Sequence, residues 1–210
     1  MAYSAAWATL PWLATRTAAA DRKVVFADDP FSLGVASGDP DAKSVVLWTR
    51  LAPKPDDPDG GMKPEAINVR WEIADDEGFT KIVAKGEAVA TPQLGHSVHV
   101  EVPGLQPDRW YFYRFMAGDA VSPVGRTRTL PEPNSIPNQL KLTFASCQHY
   151  EHGYYTAYKQ MAADAPDLAF HLGDYIYENP NNPARPTVRK LSGPKDRRLK
   201  TLEDYRSRYA

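Results

Sequence analysis

Three prolines fall within the eight residues Leu130-Pro131-Glu132-Pro133-Asn134-Ser135-Ile136-Pro137. Proline fixes its own φ, lacks a backbone donor, and pushes the residue before it into extended geometry. No helix and no central strand can run through such a stretch, so it acts as an extended connection. A chain of 210 residues has room for one large domain or two small ones. The proline run selects two, over 28–133 and 138–210, and the sequence changes its periodicity across it.

Upstream, short β-like runs alternate with turn signals, which predicts a sandwich. The candidate strands are 31–37, 44–51, 67–74, 82–90, 97–102, 111–117 and 125–129. Turn chemistry separates them at Gly38-Asp39-Pro40-Asp41, within 53–61 and within 104–107. The two-residue period of a strand puts Val45, Leu47 and Thr49 on one face, and Val46, Trp48 and Arg50 on the other. Trp71, one strand later, is expected to anchor the core. Leu105-Gln106-Pro107-Asp108-Arg109-Trp110-Tyr111 resembles the E–F corner of fibronectin type III domains, in which a tyrosine hydroxyl bonds back to nearby backbone. His96 and His99 lie three apart, a spacing that points strand side chains to opposite faces, so they are read as structural. No catalysis is assigned to the sandwich; it is expected to pack on the second unit.

Downstream, the strand-like run Leu140 to Ala145 stops at Ser146-Cys147-Gln148-His149, and Leu168 to Leu172 stops at Gly173-Asp174, followed by Tyr175, Tyr177 and Glu178. Residues 154–165 between them read as helix, with Tyr155, Tyr158, Met161 and Ala162 on one buried face. Strand, helix and strand make a βαβ unit with parallel neighbouring strands. Both strand ends then emerge at one carboxyl edge, where open α/β sheets place their sites. Asp174 is a hard oxygen donor able to bridge two metals, and Gly173 before it is expected to admit close approach. Tyr177 can reach the same ion as a phenolate, which needs a strong Lewis acid because free tyrosine has a pKa of roughly 10. Cys147 is the sole cysteine, which excludes an intramolecular disulfide and leaves a thiol, a thiolate ligand or an intermolecular link. Singly these residues read as a small hydrophobe, a turn residue and a packing group; their conjunction points to a metal-dependent enzyme.

A loop follows from 179 to 200, then a last helix with Thr201 as N-cap, Asp204 completing a near capping box, and Leu202, Tyr205, Arg206 and Tyr209 on one face. Seven basic residues lie in 185–200; Arg189 and Lys190 are the ones expected to line a pocket and draw in phosphate. Lys and Arg total 25 against 26 Asp and Glu, which gives no basis for specific nucleic-acid binding. No run approaches the roughly 18 apolar residues of a membrane helix. Residues 1–27 read as the remnant of an export signal or a disordered N-terminus: an apolar stretch from Ala5 to Ala14, then Ala18-Ala19-Ala20 as a small-x-small cleavage pattern.

Gly173-Asp174-Tyr175-Ile176-Tyr177 resembles the Gly-Asp-x-x-Tyr motif of purple-acid-phosphatase-type metallophosphoesterases. Phe144-Ala145-Ser146-Cys147-Gln148 together with His171-Leu172-Gly173-Asp174-Tyr175-Ile176-Tyr177-Glu178 resembles the alkaline phosphatase D (PhoD-like) family. Gly34-Val-Ala-Ser-Gly-Asp39-Pro40 and Val45-Val-Leu-Trp48-Thr-Arg50 resemble its N-terminal domain, so the resemblance runs from about Phe31 to Ala210. It implies an all-β Ig/fibronectin-III-like sandwich followed by the βαβ start of an incomplete α/β metallophosphoesterase domain. It further implies hydrolysis of phosphate-ester small molecules or phosphodiester polymers outside the cytoplasm, after export by the twin-arginine route. Carried over by motif, Cys147 and Tyr177 ligate iron(III), and Asp174 bridges iron(III) and calcium. His149 stands where related enzymes carry the histidine of an Asp-x-His pair and is read as a direct ligand, a site-lining group or a surface residue, with site-lining the role carried forward. The remaining asparagine and histidine ligands belong beyond Ala210, so the isolated chain is expected to have little activity. The alternative is a non-catalytic sandwich binding module with a vestigial tail.

Overall fold

A computed structural model describes residues 24–180, 182, 184–190 and 192–209, so the expected export signal as far as residue 23, with its cleavage pattern at Ala18-Ala19-Ala20, lies outside the described residues. The first unit is a two-sheet β-sandwich. Strands β1 (Val35–Gly38), β2 (Ser44–Arg50) and β5 (Ser97–Pro103) form one antiparallel sheet in the order β1-β2-β5. The other sheet runs β4 (Ile82–Ala90), β3 (Ile67–Ala74), β6 (Trp110–Ala117), with β7 (Ala120–Val121) and β8 (Gly125–Arg128) both pairing β6. Alternating residues of both sheets meet in a core of Val45, Leu47, Val69, Ile73, Val102, Leu105, Tyr111, Tyr113 and Phe115.

The corner expected before β6 is present. Buried Tyr111 accepts the Gln106 N–H on its hydroxyl at 2.8 Å, with Leu105 buried beside it. Three expectations for this unit need correction, and that for Trp71 is qualified. Phe31 precedes β1 in a turn yet is buried, because it plugs the core from a loop. Trp71 packs against the core as expected but from its margin, only half-buried: it lies over Gly86, its cross-strand partner, where an added Cβ would come within 2.6 Å of the indole. Arg50 breaks the alternation of β2 and is buried, held by its Nε–H to the Gly95 carbonyl at 3.0 Å. His96 is buried in the turn before β5 (φ 58°), not on the strand, with Nε2 3.0 Å from the Glu65 carbonyl.

The second unit is smaller. Strands β9 (Leu142–Ala145) and β10 (Leu168–His171) pair in parallel, with Leu142 opposite Leu168 and Ala145 opposite His171. Helix α1 (Thr156–Ala163) joins them, and α2 (Leu202–Arg208) closes the described chain. Parallel strands are ordinarily buried on both faces, but here Phe144 is 71% exposed and its partner Phe170 46%. The face expected to be buried on α1 is not: Tyr155, Tyr158 and Met161 are half-buried and Ala162 is exposed, because two strands offer too little surface to cover a helix. Helix α2 buries Asp204 and Ser207 and leaves Leu202 and Tyr209 exposed, so its apolar stripe does not set its packing. Its start is as expected. Thr201 and Asp204 form a reciprocal capping box, and Arg197 grips both carboxylate oxygens of Asp204 at 2.8 and 2.9 Å.

Polar contacts join the two units. Arg128, at the end of β8, donates to Asp108 within the sandwich and to Asp167 at the foot of β10. Asp167 also accepts the Lys141 N–H at 2.8 Å, so one carboxylate ties the starts of β9 and β10 to the sandwich. That backbone bond and then the Arg128 charge hold the Asp167 carboxyl below its ordinary value. On the far side, Arg206 of α2 donates to the Gln93 carbonyl, and the Ser192 hydroxyl donates to Asp56.

Candidate metal centre

The two parallel strands end side by side and their chains turn together. Leu172 N–H donates to the Ala145 carbonyl at 2.8 Å, and Cys147 N–H to the Gly173 carbonyl at 3.2 Å, extending the pairing past the strands. The backbone then bends sharply: Cys147 has φ 57°, Gly173 φ 128° and Asp174 φ 54°. Positive φ is uncommon for a residue with a side chain, and such conformations cluster at functional sites. Gly173 is needed for this turn and not for room, since a Cβ there would meet nothing within 4 Å. This corrects the expectation of close approach.

The bend brings the three expected ligands to one place. The Cys147 thiol lies 3.5 Å from Asp174 Oδ2, and the Tyr177 hydroxyl lies 3.3 Å from the same oxygen. A thiol and a phenol thus flank a single carboxylate oxygen, and both Cys147 and Asp174 are exposed. Burial first, then the charge of Asp174 and the neighbouring Cys147, push the Tyr177 phenol above its ordinary pKa. Among the described residues no group of three or more His, Cys, Asp or Glu side chains is gathered for a metal; this cluster reaches three donors only through tyrosine.

The other expected site residues fall around this point. His149 stacks on the Tyr177 ring (centroids 4.9 Å apart, 20° between planes) and tilts against His152 at 4.5 Å. Its Nδ1 accepts the Glu151 N–H at 3.3 Å. Burial, followed by the charge of His152, lowers its pKa. Arg189 is tied elsewhere: it donates to the Tyr150 and Gly153 carbonyls at 2.9 and 2.8 Å and lies over the Tyr155 ring. Lys190 is exposed. Of the basic loop, Arg197 is also committed, to Asp204, and Arg198 to Glu178 at 2.8 Å. His171 accepts the Gly173 N–H on Nδ1 at 3.4 Å and packs edge-on against Tyr175.

Two residues beside the cluster carry no sequence signal. Glu151 is buried at 8% exposure with Oε2 lacking a hydrogen-bond partner among the described residues. Arg208, half-buried on α2, donates to the Tyr177 carbonyl at 2.9 Å and the Pro194 carbonyl at 2.6 Å. Neither stands in a motif, and both lie in polar stretches where charged residues are ordinarily solvated.

Known families match both units. The N-terminal domain of PhoD-like phosphatases matches residues 16–131, more than half of the chain, and the PhoD-like phosphatase family itself matches 142–210. The chain belongs to the PhoD-like phosphatases. Alkaline phosphatase D of Bacillus subtilis (strain 168) is 55% identical over 185 residues, which cover 88% of this chain and 32% of that protein. A solved structure of PhoD superposes with a TM-score of 0.83 at 54% identity, over 89% of this chain and 35% of that one. This PhoD-like chain therefore spans about a third of the relatives it matches. Among the described residues, no helix is long and apolar enough to cross a membrane.

Proposed function

We propose that this chain provides the sandwich (28–133) and the leading part of the metallophosphoesterase unit (138–210) of a phosphoric mono- or diester hydrolase acting outside the cytoplasm. The observation that carries this reading is the convergence of Cys147 Sγ and the Tyr177 hydroxyl on Asp174 Oδ2 at the ends of two paired strands. The donors fit iron(III) with calcium: thiolate and phenolate need a strong Lewis acid to lose their protons, and a carboxylate has a second oxygen for a hard cation. A trio that would carry up to three negative charges is repulsive on its own, which suits it to a highly charged cation.

Cys147 and Tyr177 would hold the iron, and Asp174 would bridge it to calcium. Bound there, the metals would supply Lewis-acid chemistry, acidifying a water and neutralising phosphate oxygens during in-line displacement. The residues of this chain orient that chemistry. The paired strand ends fix the spacing of Cys147 and Asp174, while the His149 ring holds the Tyr177 ring by stacking and lines the same edge. Of the two basic residues, Arg189 is tied to backbone carbonyls and Lys190 is exposed, so Lys190 would be the one to draw in a phosphate ester. The remaining metal ligands are assigned to the length of the relatives that this chain does not span, so the chain alone should turn over little substrate.

The test uses the protein with the full phosphatase domain, loaded with iron. Tyrosinate and thiolate charge-transfer bands are expected in the visible, together with hydrolysis of a chromogenic phosphate ester. Tyr177→Phe should bleach the tyrosinate band, and a colourless iron-bound parent would contradict the assignment.

A further inference from the structure

Tyr177 has no regular element to hold it. It lies between β10 and α2, in the long irregular stretch that leads to the final helix. Its hydroxyl makes a 3.3 Å bond to Asp174 and its ring stacks on His149, yet a metal ligand must be held to within about half an ångström. Its backbone is tied at its own carbonyl by the Arg208 guanidinium and, one residue on, at the Glu178 carbonyl by the Leu199 N–H at 2.9 Å.

We propose that Arg208 is the positioning residue for Tyr177; the inference rests on the metal reading given above. One Arg208 nitrogen takes the Tyr177 carbonyl and another takes the Pro194 carbonyl, so the planar fork of arginine pins two points of the irregular chain to α2. Helix α2 is itself secured three ways. It has the Thr201–Asp204 capping box, the two-point Arg197–Asp204 pair, and the Arg206 bond to the sandwich carbonyl of Gln93. The place of Tyr177 is thereby set from the sandwich side.

The other support of Tyr177 is the His149 ring stacked on it, whose Nδ1 accepts the Glu151 N–H at 3.3 Å.

The test reads the ligand directly in the iron-loaded protein with the full phosphatase domain. Tyr177→Phe identifies the tyrosinate band. Arg208→Gln is expected to shift or weaken that band and to lower iron affinity, measured by chelator competition, about 10–100-fold, the range for residues that support a metal ligand. Arg208→Lys should recover part of the loss, since one ammonium can reach one carbonyl but not span two. Should Arg208→Gln fail to fold, Arg208→Lys decides. A lowered melting temperature with band and iron affinity unchanged would make Arg208 a structural residue and overturn the proposal. A band that survives Tyr177→Phe would instead sink the metal reading beneath it.

Discussion

The sandwich and the βαβ unit are built from similar short strands, but they spend their apolar residues differently. In the sandwich Phe115 is fully buried between two sheets; in the smaller unit Phe144 is 71% exposed on a two-stranded one. Two sheets facing each other satisfy every inward residue, whereas a two-stranded parallel sheet needs cover on both faces. The sandwich is held by its interior. The βαβ unit is held by its edges: the Asp167 carboxylate at the strand feet, the backbone bonds at Cys147 and Leu172, and the capped α2.

Three measurements break or sharpen this contrast. The largest effect is Phe115→Ala, which should cost about 3–5 kcal/mol, against about 0.5 kcal/mol or less for Phe144→Ala, both read from denaturant midpoints. Equal losses would erase the distinction. Next, Tyr111→Phe removes the hydroxyl that takes the Gln106 N–H and should lower sandwich stability by about 1–2 kcal/mol with unchanged secondary structure. Smallest is the cap of α2, where Thr201→Ala should cost about 1 kcal/mol. The same cap gives a pH signature. The bidentate Arg197 bond, then the Lys200 and Thr201 N–H groups, hold the Asp204 carboxyl far below its ordinary value. A depressed folded-state pKa stabilises above the unfolded value and is lost as pH falls through the folded one. Helical circular dichroism should therefore weaken in strong acid, and Asp204→Asn should remove that dependence.

Much of this was legible in the residues. Strand alternation located β2 through β6, because one solvated and one buried face leave a clear period of two. The tyrosine corner and the capping box were readable because each is a local backbone bond with a fixed spacing. The meeting of Cys147, Asp174 and Tyr177 was readable because parallel pairing leaves one edge for both strand ends. The rest depends on contacts distant in sequence. Arg50 is buried by the Gly95 carbonyl in the turn before the paired strand β5, Trp71 lies over Gly86 on the paired strand β4, and Arg189 is drawn off by two carbonyls of the 150–153 turn. Glu151 and Arg208 follow the same rule, since nothing local marks a charge that will be enclosed. The buried face expected on α1 failed because helical periodicity shows where apolar groups lie and not what covers them.

The left-handed backbone at the two strand ends treats its two residues unequally. Aspartate tolerates that conformation, so at position 174 the local geometry and the carboxylate favour the same residue. Cysteine has no such ease, so position 147 keeps its sulfur against the inclination of its own main chain. Mutational drift toward glycine or asparagine there would relax the chain while discarding the thiol. Fold stability and the proposed metal chemistry thus pull in opposite directions at one residue and in the same direction at its neighbour across the strands.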